Sequence, residues 1–356
     1  MSHIFFCSTI VNSQNKIQDS LKFDYRKIYS LCLDGNVKPA LALLELDNTK
    51  KISTTDLKFK TDFENRFKYE ADKSDYIVEN KSGIDSLLIL FRDYWRKSVL
   101  ETKNNYDTLF IRAYQDFLKE KFPTLSEKEI KEDSTDLHLR KYLKSKNLFT
   151  TDGIGKTGRL YDLLVWETQR DTIYTFKIKN EVIQTKVVFM DDFITLGWEE
   201  YTTLGKNYPG GWATKDALYC VKKAYDLNSE HFLISYLAHE SRHFADYKLF
   251  PKLTSADLEY RAKLTELSLA KKTIYELIQF FISNANYDSN NGHSVANFCV
   301  IKDLSKLVFG VEFEKDIVKW KSVSRKKINK AAYKILQSNT KALQLKGTYV
   351  EKFIKP

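Results

Sequence analysis

Cysteine is scarce in this 356-residue sequence, and its four copies are scattered. Cys7, Cys32, Cys220 and Cys299 form no C-x-x-C pair, which excludes a zinc ribbon and a thioredoxin-type redox motif. A chain of this length can bury enough apolar surface to fold without disulfides, so the cysteine count does not decide the cellular compartment.

Long apolar runs are also absent. The sequence has no stretch of about 20 apolar residues, so we expect no membrane-spanning helix. Residues 1–14 contain a short apolar run, followed by Val11 and Ser13 at the spacing of a signal-peptidase site. This segment is either a signal remnant, in which case the protein is periplasmic or secreted, or an ordinary first segment of a cytoplasmic protein.

Glycine and proline are few, with 12 and 5 copies, and the one glycine-rich segment departs from a phosphate-binding loop. A P-loop built on GIGKTG, residues 153–158, would need a further glycine at position 150, where Thr150 stands. It would also need a strongly apolar strand before it. We therefore interpret the segment as a turn at a domain junction.

Acidic residues are nearly missing from the end of the chain. Residues 315–356 carry 12 basic and 2 acidic side chains, which accounts for the whole net charge of +10. Apolar residues recur there at helical spacing: Ile328, Ala332, Ile335, Leu336 and Leu343. We predict a basic amphipathic helical tail that packs by its apolar face, with an anionic partner for its lysines as the alternative. No aromatic stacking set or known nucleic-acid module accompanies it, so nucleic acid is not the expected partner.

The rest of the sequence changes its pattern near residue 148. Residues 15–147 repeat apolar residues at helical spacing, and Asp34, Gly35 and Asn36 separate two such runs in the manner of an αα-hairpin. The runs that follow, YDLLVWE, TIYTFKI and TKVVFMDDFITLGW, are rich in β-branched and aromatic residues and predict strands.

Helical patterns return after the strands, over residues 229–249, 256–283 and 293–308. Strands followed by helices are typical of an α+β fold with a largely antiparallel sheet. We therefore predict an all-helical N-terminal domain, residues 15–147, ahead of a metal-binding domain, residues 148–314.

One segment of the second domain carries candidate metal ligands. His239 and His243, in LAHESRHFADYKLF (residues 237–250), project from the same face of a helix and can share one ion. Glu240 is turned by about 100° from His239, so it can reach a water beside the metal. Two imidazoles suit zinc, and a carboxylate can act as general base toward a metal-activated water. HESRH therefore predicts a zinc-dependent hydrolase.

HESRH, followed by the acid-bearing helix LEYRAKLTEL, resembles the gluzincin group of zinc metallopeptidases over residues 185–300. In that group the two histidines of HExxH and a glutamate of the next helix bind zinc. The resemblance implies a zincin-like domain and a peptidase that acts on a peptide or protein substrate. The N-terminal half of the chain has no such resemblance.

Two glutamates of the second helix are candidates for the third ligand. Glu259 and Glu266 are seven residues apart and lie on one face. Glu259 is preferred because Glu-x-x-Ala, with Ala262, resembles the gluzincin pattern. Asp246, one helical turn beyond the motif, is a further alternative, either as a ligand or as a group that orients a histidine.

A hydrolase also needs a donor for the oxyanion that develops in the transition state. His293 opens a predicted helix in NNGHSVANF and is our first choice. Tyr247 and Tyr260 are the alternatives.

Two functions remain open at this point. In the first, the chain is a zinc metallopeptidase, and His239, His243 and Glu259 hold Zn²⁺. Glu240 is then the general base, and His293 steadies the oxyanion. In the second, the chain is a non-catalytic helical interaction module with a structural or degenerate metal site. A structural zinc site is closed by four protein ligands, whereas a catalytic site keeps one position for water.

Overall fold

The computed structural model describes residues 23–45, 53–74, 83–132, 135–151, 155–178, 181–214, 216–288 and 291–355. The candidate signal remnant, residues 1–14, lies outside these ranges. The cysteines within them, Cys32, Cys220 and Cys299, are buried free thiols.

Fourteen α-helices and a five-stranded sheet form most of the described part of the chain, which confirms the predicted mixed α+β class. The helices are α1 (Tyr25–Leu33), α2 (Val37–Glu45), α3 (Thr54–Phe67), α4 (Asp85–Leu100), α5 (Asp107–Lys121), α6 (Glu127–Glu132), α7 (Thr135–Lys144), α8 (Trp198–Thr202), α9 (His239–Leu249), α10 (Ser255–Leu269), α11 (Ile274–Ser283), α12 (Gly292–Phe309), α13 (Ile317–Ser322) and α14 (Arg325–Lys346). Among these helices, none combines the length and the apolar composition that crossing a membrane requires.

The strands are β1 (Phe149–Thr150), β2 (Lys156–Thr157), β3 (Leu160–Tyr161), β4 (Leu164–Ile178), β5 (Glu181–Leu196), β6 (Gly211–Ala213) and β7 (Leu218–Val221). The five-stranded sheet has the order β1-β4-β5-β7-β6, and β1 pairs with β4 in the antiparallel sense. The other two strands, β2 and β3, form a separate antiparallel pair.

The chain folds into two compact units. The N-terminal unit comprises the described residues up to 170 together with residues 189–212, and the C-terminal unit comprises residues 171–188 and the described residues from 213 onward. The unit boundaries therefore fall inside β4, β5 and β6. All the candidate metal ligands belong to the C-terminal unit.

The N-terminal unit is built mainly from α1–α8 around an aromatic core. Trp95, Tyr114 and Tyr201 are buried in it, and the rings of Tyr94 and Phe110 stack with their centroids 4.3 Å apart. The predicted αα-hairpin is confirmed as α1 and α2. Their connection includes a glycine at position 35 with a φ of 66°, a conformation that favours glycine.

The strands are longer than the sequence pattern predicted. YDLLVWE and TIYTFKI contribute to one 15-residue strand, β4, because no glycine or proline interrupts it and polar residues occupy every exposed position except that of Ile173. Side chains also bridge β4 to β5. The hydroxyl of Thr168 donates to the carboxylate of Asp192 at 2.9 Å, and Lys186 pairs with Asp171 at 2.7 Å.

The helical pattern predicted over residues 256–283 forms two helices, α10 and α11, instead of one. The chain turns between them because Glu230 supplies an acceptor for α11: its carboxylate accepts hydrogen bonds from the backbone N–H groups of residues 271–273 at 2.7–3.2 Å. A carboxylate is favourable at this end of a helix, where N–H groups lack partners within the helix.

The predicted amphipathic helix of the tail is α14. Its buried side chains are Ile328, Ala331, Ala332, Leu336 and Leu343. Asn329 fastens it to α10, because its amide donates to the carbonyl oxygens of Leu267 and Ala270 at 2.6 and 2.9 Å. The tail helix is therefore part of the core of the C-terminal unit.

Replacement of Glu230 by alanine tests the origin of the break between α10 and α11. Loss of the hydrogen bonds to residues 271–273 should lower the free energy of unfolding by about 1 kcal/mol, since Glu230 is partly exposed. These N–H groups outweigh the opposing effect of burial and lower the pKa of Glu230. Its contribution should therefore be present above the unfolded-state pKa and disappear as the pH falls through the lower folded-state pKa.

Urea unfolding at neutral and acidic pH measures this contribution. Glu276→Ala is the matched control, because Glu276 is an exposed acid in the first turn of the same helix. Equal losses in the two variants would contradict the assigned role of Glu230.

Candidate metal centre

Helix α10 is buried along most of its length although many of its residues are charged. Every residue from Asp257 to Leu267 is buried, including Glu259, Lys263 and Glu266. Helices α9, α12 and α14 pack around it. Because an unpaired charge is costly in a protein interior, each of these side chains needs a compensating partner.

Two imidazoles and one carboxylate converge between α9 and α10. The Nε2 atoms of His239 and His243 lie 3.1 Å apart. One oxygen of Glu259 lies 3.2 Å from Nε2 of His243, and the other lies 3.5 Å from Nε2 of His239. All three side chains are buried, and their ligand atoms lie within 4.8 Å of one another, so they are able to hold a metal ion. We call His239, His243 and Glu259 the ligand group.

These separations suit a small four-coordinate cation. With bonds of 2.0–2.1 Å, two ligand atoms of a tetrahedral zinc site lie about 3.3 Å apart. The observed separations of 3.1, 3.2 and 3.5 Å bracket this value. Helix geometry accounts for the two histidines, since residues four apart project together, and the packing of α10 on α9 adds the glutamate.

Glu266 contacts the second ring nitrogen of His239. Its carboxylate lies 2.7 Å from Nδ1 of His239. A carboxylate accepts, so Nδ1 donates, and in the neutral imidazole Nε2 then carries the lone pair that faces His243 and Glu259. Carboxylates that orient metal-binding histidines in this way are common beside metal sites. The two competing glutamates therefore have different positions: Glu259 lies in the ligand group and Glu266 lies behind it.

The site stabilises positive charge. Burial lowers the pKa of His239, but the carboxylates of Glu259 and Glu266 outweigh it and raise the pKa to about 10. Burial likewise opposes ionisation of Glu259, but His239 and the other imidazoles hold the pKa of this carboxyl well below its usual range. Either a proton or a metal cation satisfies this charge balance, and metal binding would displace the proton.

One oxygen of Glu259 has contacts beyond the two histidines. Its Oε2 lies 2.9 Å from Nδ1 of His293 and 3.3 Å from the ammonium group of Lys263. These are ion-pair distances, but within the described residues this buried oxygen accepts no well-directed hydrogen bond. A metal ion at the site would satisfy it, which is further support for the fit of the donor set.

His293 reaches Glu259 because a glycine precedes it. Gly292 starts α12 against the start of α10, and a Cβ atom there would lie 2.6 Å from the hydroxyl of Ser255 and 2.9 Å from the backbone nitrogen of Ala256. A larger residue would force the two helix ends apart. The side chain of His293 is 48% exposed, so it lies at the solvent side of the ligand group.

Two buried arginines fix α9 against its neighbours. Arg242 binds the carboxylate of Glu181 through both terminal nitrogens at 2.6–2.7 Å and donates to the hydroxyl of Thr265 at 3.1 Å. Arg261 binds both oxygens of Asp246 at 2.7–2.8 Å. Asp246 is therefore paired with an arginine and does not belong to the ligand group.

The remaining candidates lie in different surroundings. Glu240 is buried on α9. The ring centroids of Tyr247 and His243 lie 6.5 Å apart. Burial raises the pKa of Tyr247 to about 12, and the negative charges of Glu240 and Glu259 add to this effect. Tyr260 instead donates to Asp303 at 2.5 Å.

The segment that carries HESRH is helical from residue 230 to residue 249, but its first part is wider than an α-helix. His231–Ala238 is π-helical, and the N–H of His239 reaches the carbonyl of Ile234, five residues back. The hydroxyl of Ser229 accepts from the N–H of Phe232 at 3.1 Å, so this side chain caps the start of the helix. π-Helical turns are frequent at functional sites.

Sequence reasoning missed two of the residues around the ligand group. Glu266 was considered only as a ligand, and Lys263 was not considered. A signal for Lys263 does exist, because it follows Glu259 by four residues and therefore shares its face. The position of Glu266 depends on the packing of α10 on α9, which spacing alone does not determine.

Comparisons with known proteins return no relative. No protein-family profile, curated protein or solved structure matches the chain. The geometry of the ligand group must therefore carry the functional argument.

Replacement of Glu266 by glutamine tests its role behind His239. The amide can still accept a hydrogen bond from Nδ1 of His239, but it carries no negative charge beside this nitrogen. Metal affinity should therefore fall by about tenfold to a hundredfold. Competition with a chromophoric chelator measures the affinity. Glu276→Gln, on the exposed face of α11, is the control and should bind metal like the parent chain. An unchanged affinity in Glu266→Gln would remove Glu266 from this role.

Replacement of Gly292 by alanine tests the close approach of α12 and α10. The added Cβ should lower the free energy of unfolding by about 1–3 kcal/mol and weaken metal binding by withdrawing His293. His293→Ala should weaken metal binding without a comparable loss of stability. Gly155→Ala is the control for urea unfolding, since its Cβ would meet nothing within 4 Å. Parental stability in Gly292→Ala would show that the helix ends do not need a glycine.

Proposed function

We propose that the chain is a zinc-dependent hydrolase, specifically a metallopeptidase, and that its C-terminal unit is a zincin-like domain. The proposal is based on one observation: the Nε2 atoms of His239 and His243 and the carboxylate of Glu259 are buried together at 3.1–3.5 Å. The proposal is consistent with the position of HESRH on one helix and of Glu259, the third donor, on the next.

The donor set favours zinc over the other common metals. Two imidazoles and one carboxylate are a frequent set of protein ligands in catalytic zinc sites. Calcium and magnesium prefer sites made of oxygen atoms. A carboxylate behind His239 is also typical of zinc sites, where it fixes the tautomer of the ligating histidine.

A zinc ion here would supply Lewis acidity for a polarised carbonyl and would lower the pKa of an attacking water. Glu240 follows His239 directly, so its carboxylate is turned about 100° around the helix axis and is suited to accept a proton from that water. Glu240 is buried on the same helix as the two histidines.

A donor for the oxyanion is available at the solvent side of the ligand group. His293 is half exposed and lies 2.9 Å from Glu259, so an imidazole N–H can face a substrate carbonyl that enters from solvent. Tyr247, which is partly exposed and near Glu240, is the second donor in reach of the same region.

Metal content and hydrolysis together test the proposal. The chain purified without chelator should carry about one zinc per chain by inductively coupled plasma mass spectrometry, and His243→Ala should lose it. Glu240→Gln should keep the zinc and lose cleavage of a peptide library by about a hundredfold or more. Glu276→Gln serves as the control and should match the parent chain in both measurements.

Three outcomes would contradict parts of this proposal. Retained cleavage in Glu240→Gln would exclude Glu240 as the base. Zinc without any cleavage would favour the interaction module with a structural site. Absence of zinc after reconstitution would reject the metal centre itself.

A further inference from the structure

The C-terminal unit contains a cavity that includes none of the proposed metal ligands. It has a volume of about 630 Å³ and lies among α10, α12, α14 and the C-terminal segment at residues 353–355. Ligand pockets in proteins have volumes of about 300–1,000 Å³. The cavity is therefore large enough for a ligand of its own.

The floor of the cavity is apolar. Ile354, Ile335, Ala342 and Phe353 line it, and Cys299 lies at its base with 2% exposure. Burial raises the pKa of the Cys299 thiol to about 11, so this side chain is neutral at physiological pH. These side chains offer an apolar chain a surface to pack against.

Two side-chain contacts of the cavity wall are made within the protein. The hydroxyl of Tyr260 donates to Asp303 at 2.5 Å, and the side-chain oxygen of Asn339 accepts from Arg261 at 2.7 Å. A polar ligand would have to compete with these contacts. An apolar chain would leave them intact, which favours a hydrocarbon over a sugar or a nucleotide.

The mouth of the cavity is cationic. Lys306, Lys334 and Lys355 line it and are exposed. Lys306 pairs with Glu312 at 2.9 Å, whereas neither Lys334 nor Lys355 has a carboxylate partner within the described ranges. These two ammonium groups belong to the segment that carries the whole net charge of the chain. They can therefore bind an anionic group without breaking an ion pair.

We infer that this cavity binds a single-chain anionic amphiphile, with its hydrocarbon chain on the apolar floor and its carboxylate or phosphate head at Lys334 and Lys355. The apolar floor matches the hydrocarbon chain of this ligand, and the lysines at the mouth match its anionic head. A neutral lipid would leave the lysines without a partner, and a small anion would leave the floor in contact with water. The site does not depend on the proposed metal centre.

Displacement of a fluorescent fatty acid by oleate tests the inference on the full chain. Oleate should bind at one site, and Ala342→Trp, which fills the floor, should weaken it by about tenfold or more. Lys334→Glu should weaken it by about tenfold, since it reverses a charge at the mouth. Lys341→Glu is the matched control, because Lys341 is an exposed lysine of α14 that does not line the cavity. It should bind oleate like the parent chain.

Ligands with different head groups identify the chemistry of the anion. A second variant at the mouth of the cavity covers the case in which Ala342→Trp fails to fold. Oleate and a lysophosphatidic acid distinguish a carboxylate from a phosphate head, and either result supports the inference. Leu307→Asp changes a side chain at the mouth that is 41% exposed, so the fold should tolerate it while the new charge repels the ligand.

Several results would overturn the inference. Monoolein binding as tightly as oleate would exclude recognition of charge. Inorganic phosphate or hexanoate competing as strongly as oleate would exclude recognition of the chain. Undiminished oleate binding in both Ala342→Trp and Leu307→Asp would place the ligand elsewhere. Equal losses of oleate affinity in Lys334→Glu and Lys341→Glu would indicate diffuse attraction to the basic surface. A loss of binding to anionic vesicles in both variants, parallel to the loss of oleate affinity, would indicate the same.

Discussion

The C-terminal unit depends on the burial of a charged helix. Helix α10 is enclosed by α9, α12 and α14, yet it carries charges on most of its turns. Each buried charge costs several kcal/mol of desolvation unless a partner compensates it. These partners come from several neighbouring segments. Asp246 of α9 accepts from Arg261, and Asp257 accepts from the backbone N–H groups of Phe353 and Ile354.

The ligand group follows from the same requirement. Glu259 and Glu266 both face His239, so two carboxylates share one imidazole between them. These two carboxylates raise the pKa of the imidazole, and the same negative charge would favour a metal cation at the site. These compensating groups offset the cost of burying α10, and on the side of α9 they have the geometry of metal ligands. Lys263 and His293 complete the balance around Glu259.

The pattern of the sequence predicted a large part of this arrangement. The α+β class, the αα-hairpin at the start, the strands after residue 148 and the amphipathic tail helix are all present. The structure brings together His239, His243 and Glu259, and it places His293 in contact with the last of these. The prediction of one helix over residues 256–283 was wrong, because Glu230, distant in sequence, caps α11 from outside. A capping contact of this kind leaves no periodic signal in the helix that it divides.

The sequence by itself determined which groups can share a face. Four-residue spacing aligns His239 with His243, and seven-residue spacing aligns Glu259 with Glu266, because the α-helix has a fixed rotation per residue. Only the tertiary structure decided between the two glutamates. That choice depends on the position of α10 along the axis of α9, which is fixed by the hydrogen bonds of Arg242 to Thr265 and of Arg261 to Asp246. Spacing fixes angles within one helix, whereas the distance between two helices is decided by side chains that pack between them.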